Sequence, residues 1–143
     1  MSARYSALRF AFRETSAPLE RAGLVVSPRG GLDLAADADA VRQAILMLVA
    51  TRPGERVMRP DYGCHLFRLA FAPNDDTTAG LAIHYVRRAL QRWEPRVETV
   101  RLDAGAHPEQ EGRLDIDLQY RLRGSVHTER LALVFDLGNG RVT

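Results

Sequence analysis

Few side chains in this sequence are of a type and spacing that could do covalent chemistry. Glu55, Asp61 and Glu94 are carboxylates at the ends of expected elements, where the paired acids of glycosidases can sit. Arg56, Arg59 and Arg96 lie beside them in the chain, so ion pairing or backbone capping accounts for them as well, and nothing fixes two of them across a substrate cleft. Cys64 and His65 are a nucleophile and a base by type. As neighbours in extended backbone they would point to opposite faces, which argues against a dyad. His65, His84, His107 and His127 are too scattered to suggest a metal site, and the single cysteine excludes an internal disulfide and any CxxC pair. The chain has no lysine, so it cannot form the GxxxxGK[ST] phosphate loop, and GxSxG, HExxH and GxGxxG are also missing. The expectation is a protein that is not an enzyme, with no catalytic residue, no metal and no cofactor.

Two segments are better suited to holding a partner. The first runs Thr51-Arg52-Pro53-Gly54-Glu55-Arg56-Val57-Met58-Arg59-Pro60-Asp61-Tyr62-Gly63. The second is Trp93-Glu94-Pro95-Arg96-Val97. Glu94 is the odd residue, because a carboxylate at a helix C-terminus faces the negative end of the helix dipole. Pro95 then fixes the backbone and aims Arg96 away from the helix axis. One reading is an internal brace, with Glu94 on Arg56 or Arg96 on Glu55. The other is a docking site that engages a partner through charge-assisted hydrogen bonds. The residues alone leave the two readings even.

The elements that must position these segments are legible from periodicity. Val41, Ala44, Ile45, Leu48 and Val49 define one face of a helix over Asp37 to Ala50, which Pro53 forbids from continuing. Ala82, Tyr85, Val86, Ala89, Leu90 and Trp93 define a second over Thr77 to Trp93, capped by Asp76 or Thr77 and ended by Pro95. Glu55 to Phe71 reads as an irregular connector. Three strands follow: Val97 to Leu102, then Leu114 to Leu122 with strict alternation, then Leu131 to Phe135. Before the first helix, Leu8 and Phe10 and Phe12 alternate with charge, as a short strand or an arm that orders on a partner. Thr15 to Gly23 reads as a helical turn with Ser16 as cap. Leu24 to Val26 and Leu32 to Ala35 flank a turn at Pro28 to Gly31. The fold class is α+β: two helices on one face of a small, mainly antiparallel sheet, in a single domain. The other face shows Asp115, Asp117, Gln119 and Arg121. A three-stranded sheet has two free edges, each able to accept another chain's strand.

Composition sets the frame. With 143 residues the chain suits one domain and needs no disulfide or metal to fold. A net charge of +2 is too small to argue for nucleic acid. All 20 basic residues are arginine, which fits a biased codon usage and also suits protein interfaces. No apolar run approaches the ~18 residues a membrane span needs, and no signal-peptide pattern opens the chain, so a cytoplasmic protein is expected.

A helix ending in T-x-P-G-E-R-x-x-x-P-x-[FY]-G, followed by a helix ending in W-E-P-R, resembles the gene-25-like (protein W-like) baseplate wedge family. Its members occur in contractile phage tails, type VI secretion systems and extracellular contractile injection systems. The resemblance runs from about Gly30 to Phe135. Phe71-Ala72-Pro73-Asn74-Asp75 also resembles the injection-system branch. The organisation it suggests is an N-terminal arm over 1–23, a wedge domain over 24–137 and a C-terminal tail over 138–143.

The resemblance implies a structural subunit of the inner baseplate, six copies around the central tube. Glu94, Pro95 and Arg96 are implied to contact the core bundle of larger wedge subunits, and Glu55, Arg56, Arg59 and Tyr62 are grouped with them as partner-binding residues. The small sheet is implied to pair with strands of the first sheath ring, with inner tube or spike components as further partners. Assembly in the cytoplasm into a phage tail-like particle follows. The rival readings are a stand-alone partner-binding regulator and a lysozyme-like glycoside hydrolase. Under the wedge reading, Arg96→Ala folds normally yet fails to assemble, and Trp93→Ala destabilises the monomer by several kcal/mol.

Overall fold

Alternation of apolar and polar residues near the N-terminus favours extended backbone, and the segment pairs accordingly. The computed structural model describes residues 6–8, 10–11, 23–24 and 34–143. Strand β1 (Ser6–Leu8) and strand β2 (Phe10–Ala11) find antiparallel partners in β4 (Leu34–Ala36) and β3 (Gly23–Leu24) respectively. Their strand signal is thus satisfied within the chain. Phe12, the turn beginning at Thr15 with its cap Ser16, and the turn at Pro28 to Gly31 lie outside the described residues.

Helix α1 (Ala38–Ala50) buries Val41, Ile45, Leu48 and Val49, the stripe its periodicity announces. Its end is set at Thr51, whose hydroxyl donates to the Met47 carbonyl at 2.5 Å while its own backbone turns extended. Helix α2 (Asp76–Trp93) buries Ala82, Val86, Ala89 and Leu90, with Tyr85 and Trp93 half-buried at the margin. Its cap is Asp75, not Asp76 or Thr77. The Asp75 carboxylate accepts the Thr78 backbone N–H at 2.9 Å, which satisfies an otherwise orphaned donor and holds that carboxyl below its usual range.

The sheet has four antiparallel strands where three were expected. They stand in the order β5 (Val97–Ala106), β6 (Arg113–Leu122), β7 (Thr128–Asp136) and β8 (Arg141–Val142). Strand β5 continues four residues past Leu102. The run Ala104-Gly105-Ala106 carries no strand signal of its own and is held by register with Ile116, Asp115 and Leu114. A bulge interrupts β5 between Thr99 and Arg101. The expected tail folds back: Gly140 donates to the Asp136 carbonyl at 2.8 Å, Val134 and Thr143 exchange backbone hydrogen bonds, and Val142 packs against the core.

Both helices lie over the face formed by Leu114, Ile116, Leu118, Tyr120, Leu131, Leu133 and Phe135, closing one continuous core. The opposite face carries an ionic lattice. Arg121 forks onto Glu98 at 2.9 and 3.0 Å, Arg130 forks onto Asp117 at 2.9 and 2.7 Å, and Arg101 reaches Asp103 at 2.6 Å. Among the described residues, no helix is long and apolar enough to cross a membrane.

Candidate docking site

The connector between the helices is a closed loop with an ordered neck, and its sequence explains why. At the neck, the Cys64 N–H donates to the Thr51 carbonyl at 2.9 Å, so the chain leaves and re-enters at one point. Gly63 makes that closure possible. Its φ is +139°, and a Cβ there would lie 2.5 Å from the Thr51 oxygen and 2.9 Å from Pro53 N. Inside the loop, Gly54 donates to the Pro60 carbonyl at 2.7 Å, Arg59 to Arg56 at 3.2 Å and Tyr62 to Arg59 at 3.1 Å. Glu55 is spent on the loop's own backbone, its carboxylate accepting the Arg52 N–H at 3.1 Å. Arg52 reaches outward from the base, donating to the Gly140 carbonyl at 3.3 Å and lying over the Phe67 ring. The rest of the connector, expected to be irregular, contains a 3₁₀ helix at His65–Leu69 that buries Leu66 and Leu69.

The two motifs meet at an aromatic stack. Tyr62 meets the Trp93 ring edge-on, with centroids 5.4 Å apart. The Arg56 guanidinium lies over the Tyr62 ring, 4.2 Å from its centroid, and Arg92 lies over the Trp93 ring at 4.9 Å. Asp61 adds an exposed contact to Arg92 at 3.7 Å. Burial in this stack raises the Tyr62 hydroxyl above its ordinary pKa, opposed by the nearby charge of Arg56. Glu94 and Arg96 also act on that hydroxyl electrostatically, which places both motifs in one electrostatic neighbourhood.

Glu94 and Arg96 pair with each other. Arg96 Nε and Nη2 donate to the two carboxylate oxygens at 2.5 and 2.8 Å, across the intervening Pro95. Among the described residues, Glu94 and Thr78 are the two buried polar or charged ones; Glu94 is 5% exposed, while the Arg96 side chain keeps 33%. The brace pairings expected from the sequence, Glu94 with Arg56 and Arg96 with Glu55, are therefore replaced. Glu94 takes the arginine two residues away, because a fork-to-fork geometry there is cheaper than a reach between elements. Arg96→Ala would leave the buried Glu94 carboxylate without this fork, so the variant is expected to lose folding stability as well as any docking contact, and not to fold normally.

Of the residues expected to bind a partner, Arg56, Tyr62, Glu94 and Arg96 come together, Pro95 is exposed beside them, and Arg59 stands exposed at the loop tip. Glu55 is turned to the loop's backbone. Sequence reasoning missed Val57 and Met58, which sit at the tip with 94% and 91% exposure. The signal was available: two apolar residues between turn-forming arginines have no core to enter. Cys64 is buried, and burial pushes its thiol up to about 11, the opposite of nucleophile activation. No group of three metal-ligating side chains occurs among the described residues.

Residues 35–127 match the family described as baseplate wedge protein gp25. Three solved structures share the fold. A Geobacter sulfurreducens protein named as a tail lysozyme is 38% identical, with a TM-score of 0.62 over 67% of this chain and 86% of that one. A chain of the anti-feeding prophage baseplate is 27% identical, with a TM-score of 0.65 over 73% of this chain and 82% of that one. A chain of the post-contraction pyocin R2 baseplate is 28% identical, with a TM-score of 0.56 over 69% and 97%. No curated protein matches significantly.

Proposed function

We propose a docking role, because this chain belongs to the baseplate wedge protein gp25 family, a structural family of contractile injection systems. In this reading the chain is a wedge subunit that joins larger wedge proteins to the first sheath ring. It assembles in the cytoplasm, six copies to a baseplate, near the inner tube and spike. The observation that carries the reading is the convergence of the two motifs. Arg56, Tyr62, Trp93 and Arg96 form one partly exposed patch with the buried Glu94, although the two segments are far apart in sequence. A patch built of stacked arginine and aromatic rings resembles the anchors of protein interfaces.

Sheath attachment would use the sheet edges. Among the described residues, strand β5 is an edge strand over all ten of its residues, and β8 pairs with β7 only at Phe135 and Asp136. An extended segment of another chain can add to either edge by backbone hydrogen bonds. The Arg42 guanidinium, 3.1 Å from the Arg130 carbonyl, partly guards the β7 edge and favours β5 as the acceptor. A hydrolase reading has less support, since Glu94 is committed to Arg96 and Glu55 to a backbone amide.

The test is affinity recovery of the tagged chain from a host that makes the particle, with mass spectrometry of its companions. Wild type is expected to bring larger wedge proteins and sheath protein. Arg96→Lys keeps a charge on Glu94 but loses the fork, and is expected to fold while recovering much less of both. Recovery of the wild-type chain alone, or with one unrelated protein, would sink the proposal.

A further inference from the structure

The loop tip exposes apolar surface that the fold has no use for. Val57 and Met58 are adjacent and almost wholly open, at 94% and 91%. Exposed apolar residues usually scatter singly or sit on mobile chain. Here they ride on a loop pinned at Gly54–Pro60, Arg56–Arg59, Arg59–Tyr62 and the Gly63 neck. The tip is thus presented in one conformation before any partner arrives, so little ordering entropy remains to be lost on binding. Phe71 is also exposed, at 84%, but nothing around it indicates what would cover it.

The surroundings of the tip state the chemistry of its partner. Arg56 and Arg59 flank the two apolar residues, and Arg59 makes no ion pair with a described residue. The nearest carboxylates, Glu55 and Asp61, are taken by the Arg52 amide and by Arg92. The tip is apolar at its centre and positive at its rim, so it fits an apolar socket rimmed by carboxylates. Among the described residues, the groove between α2 and β5 of a second copy does not offer one. It is edged by Arg87, Arg101 and Arg123, and the acids there, Glu94 and Glu98, are already paired.

We infer that Val57 and Met58 plug into an acid-rimmed apolar socket on another baseplate protein, as a second anchor beside the Glu94–Pro95–Arg96 patch. This rests on the docking reading above and deepens it. Arg56 and Arg59 would steer the approach, and the apolar pair would seat in the socket.

The experiment places a photo-crosslinking benzoyl-phenylalanine at position 58 of the full chain, in cells producing the particle, and maps the crosslinked peptide by mass spectrometry. The expected peptide belongs to a different baseplate protein and combines apolar residues with Asp or Glu. The double variant V57D/M58D should then bind that purified protein roughly 30-fold or more weaker, the loss typical of a central anchor, with an unchanged melting curve. A crosslink to a second copy, to sheath, or to nothing overturns the inference, as does wild-type affinity of V57D/M58D. Parallel recovery with Arg96→Lys separates the two readings. If Arg96→Lys fails to assemble while V57D/M58D assembles, the tip is not an anchor and the docking patch stands. If both assemble normally, the docking reading itself falls.

Discussion

The outer face of the sheet and the loop between the helices are both rich in arginine, yet they use it in opposite ways. On the sheet, Arg121 and Arg130 each fork onto a carboxylate of the adjacent strand, and Arg101 reaches Asp103 along its own. Every one of those cations is cancelled in place. In the loop, Arg56 lies on an aromatic ring and Arg59 is exposed without an ion pair to a described residue, with two bare apolar residues between them. A partner docking on the sheet face would have to strip water from ion pairs already made, for little return. A partner docking on the loop would bury apolar area and supply missing counter-charge. Equal arginine content therefore says nothing about where a protein binds; what matters is whether the anions are on the same chain.

The contrast can be broken most forcefully at the loop's neck. Gly63→Ala puts a Cβ into the Thr51–Pro53 backbone at a positive φ, and should cost about 4 kcal/mol or more in urea unfolding. A loss under about 1 kcal/mol would mean that the neck opens freely and the tip is not preorganised. Trp93→Ala removes the half-buried ring that supports Tyr62, and should cost about 2–3 kcal/mol, less than a fully buried Trp. No loss in thermal melting would show that the stack is decorative. Arg96→Ala should cost about 2 kcal/mol, discounted from the value for a wholly buried pair because a third of the arginine is solvated. Arg96→Lys should recover most of that stability, and equal losses in the two variants would argue that the fork, not the charge, braces Glu94. The smallest effect belongs to the sheet. Arg130→Ala should change stability by less than about 0.5 kcal/mol, with assembly intact, since its pair with Asp117 is exposed. Failure of that variant to enter particles would make the outer face a second interface and collapse the distinction.

The sequence alone determined the two helices and the strand Leu114–Leu122, because each carries its periodicity within one local window. It also settled that the chain lacks the lysine-dependent and cysteine-paired chemistries, which depend only on residue type. The matching of the two motifs to a baseplate wedge family was legible for a similar reason: both are contiguous strings. The rest needed the third dimension. Strand β8 carries two residues and almost no signal, and exists because β7 offers it an edge at Phe135 and Asp136. The far half of β5, with its Ala-Gly-Ala run, is a strand only by register with β6. The choice of Asp75 over its neighbours as cap depended on which carboxylate could reach the Thr78 amide. Above all, spacing could not say which charges pair. Glu94, Arg96, Arg56 and Glu55 permit several pairings on paper; the burial of Glu94 favoured the adjacent Arg96, and the edge-on contact of Tyr62 with Trp93 joins segments that only folding brings together.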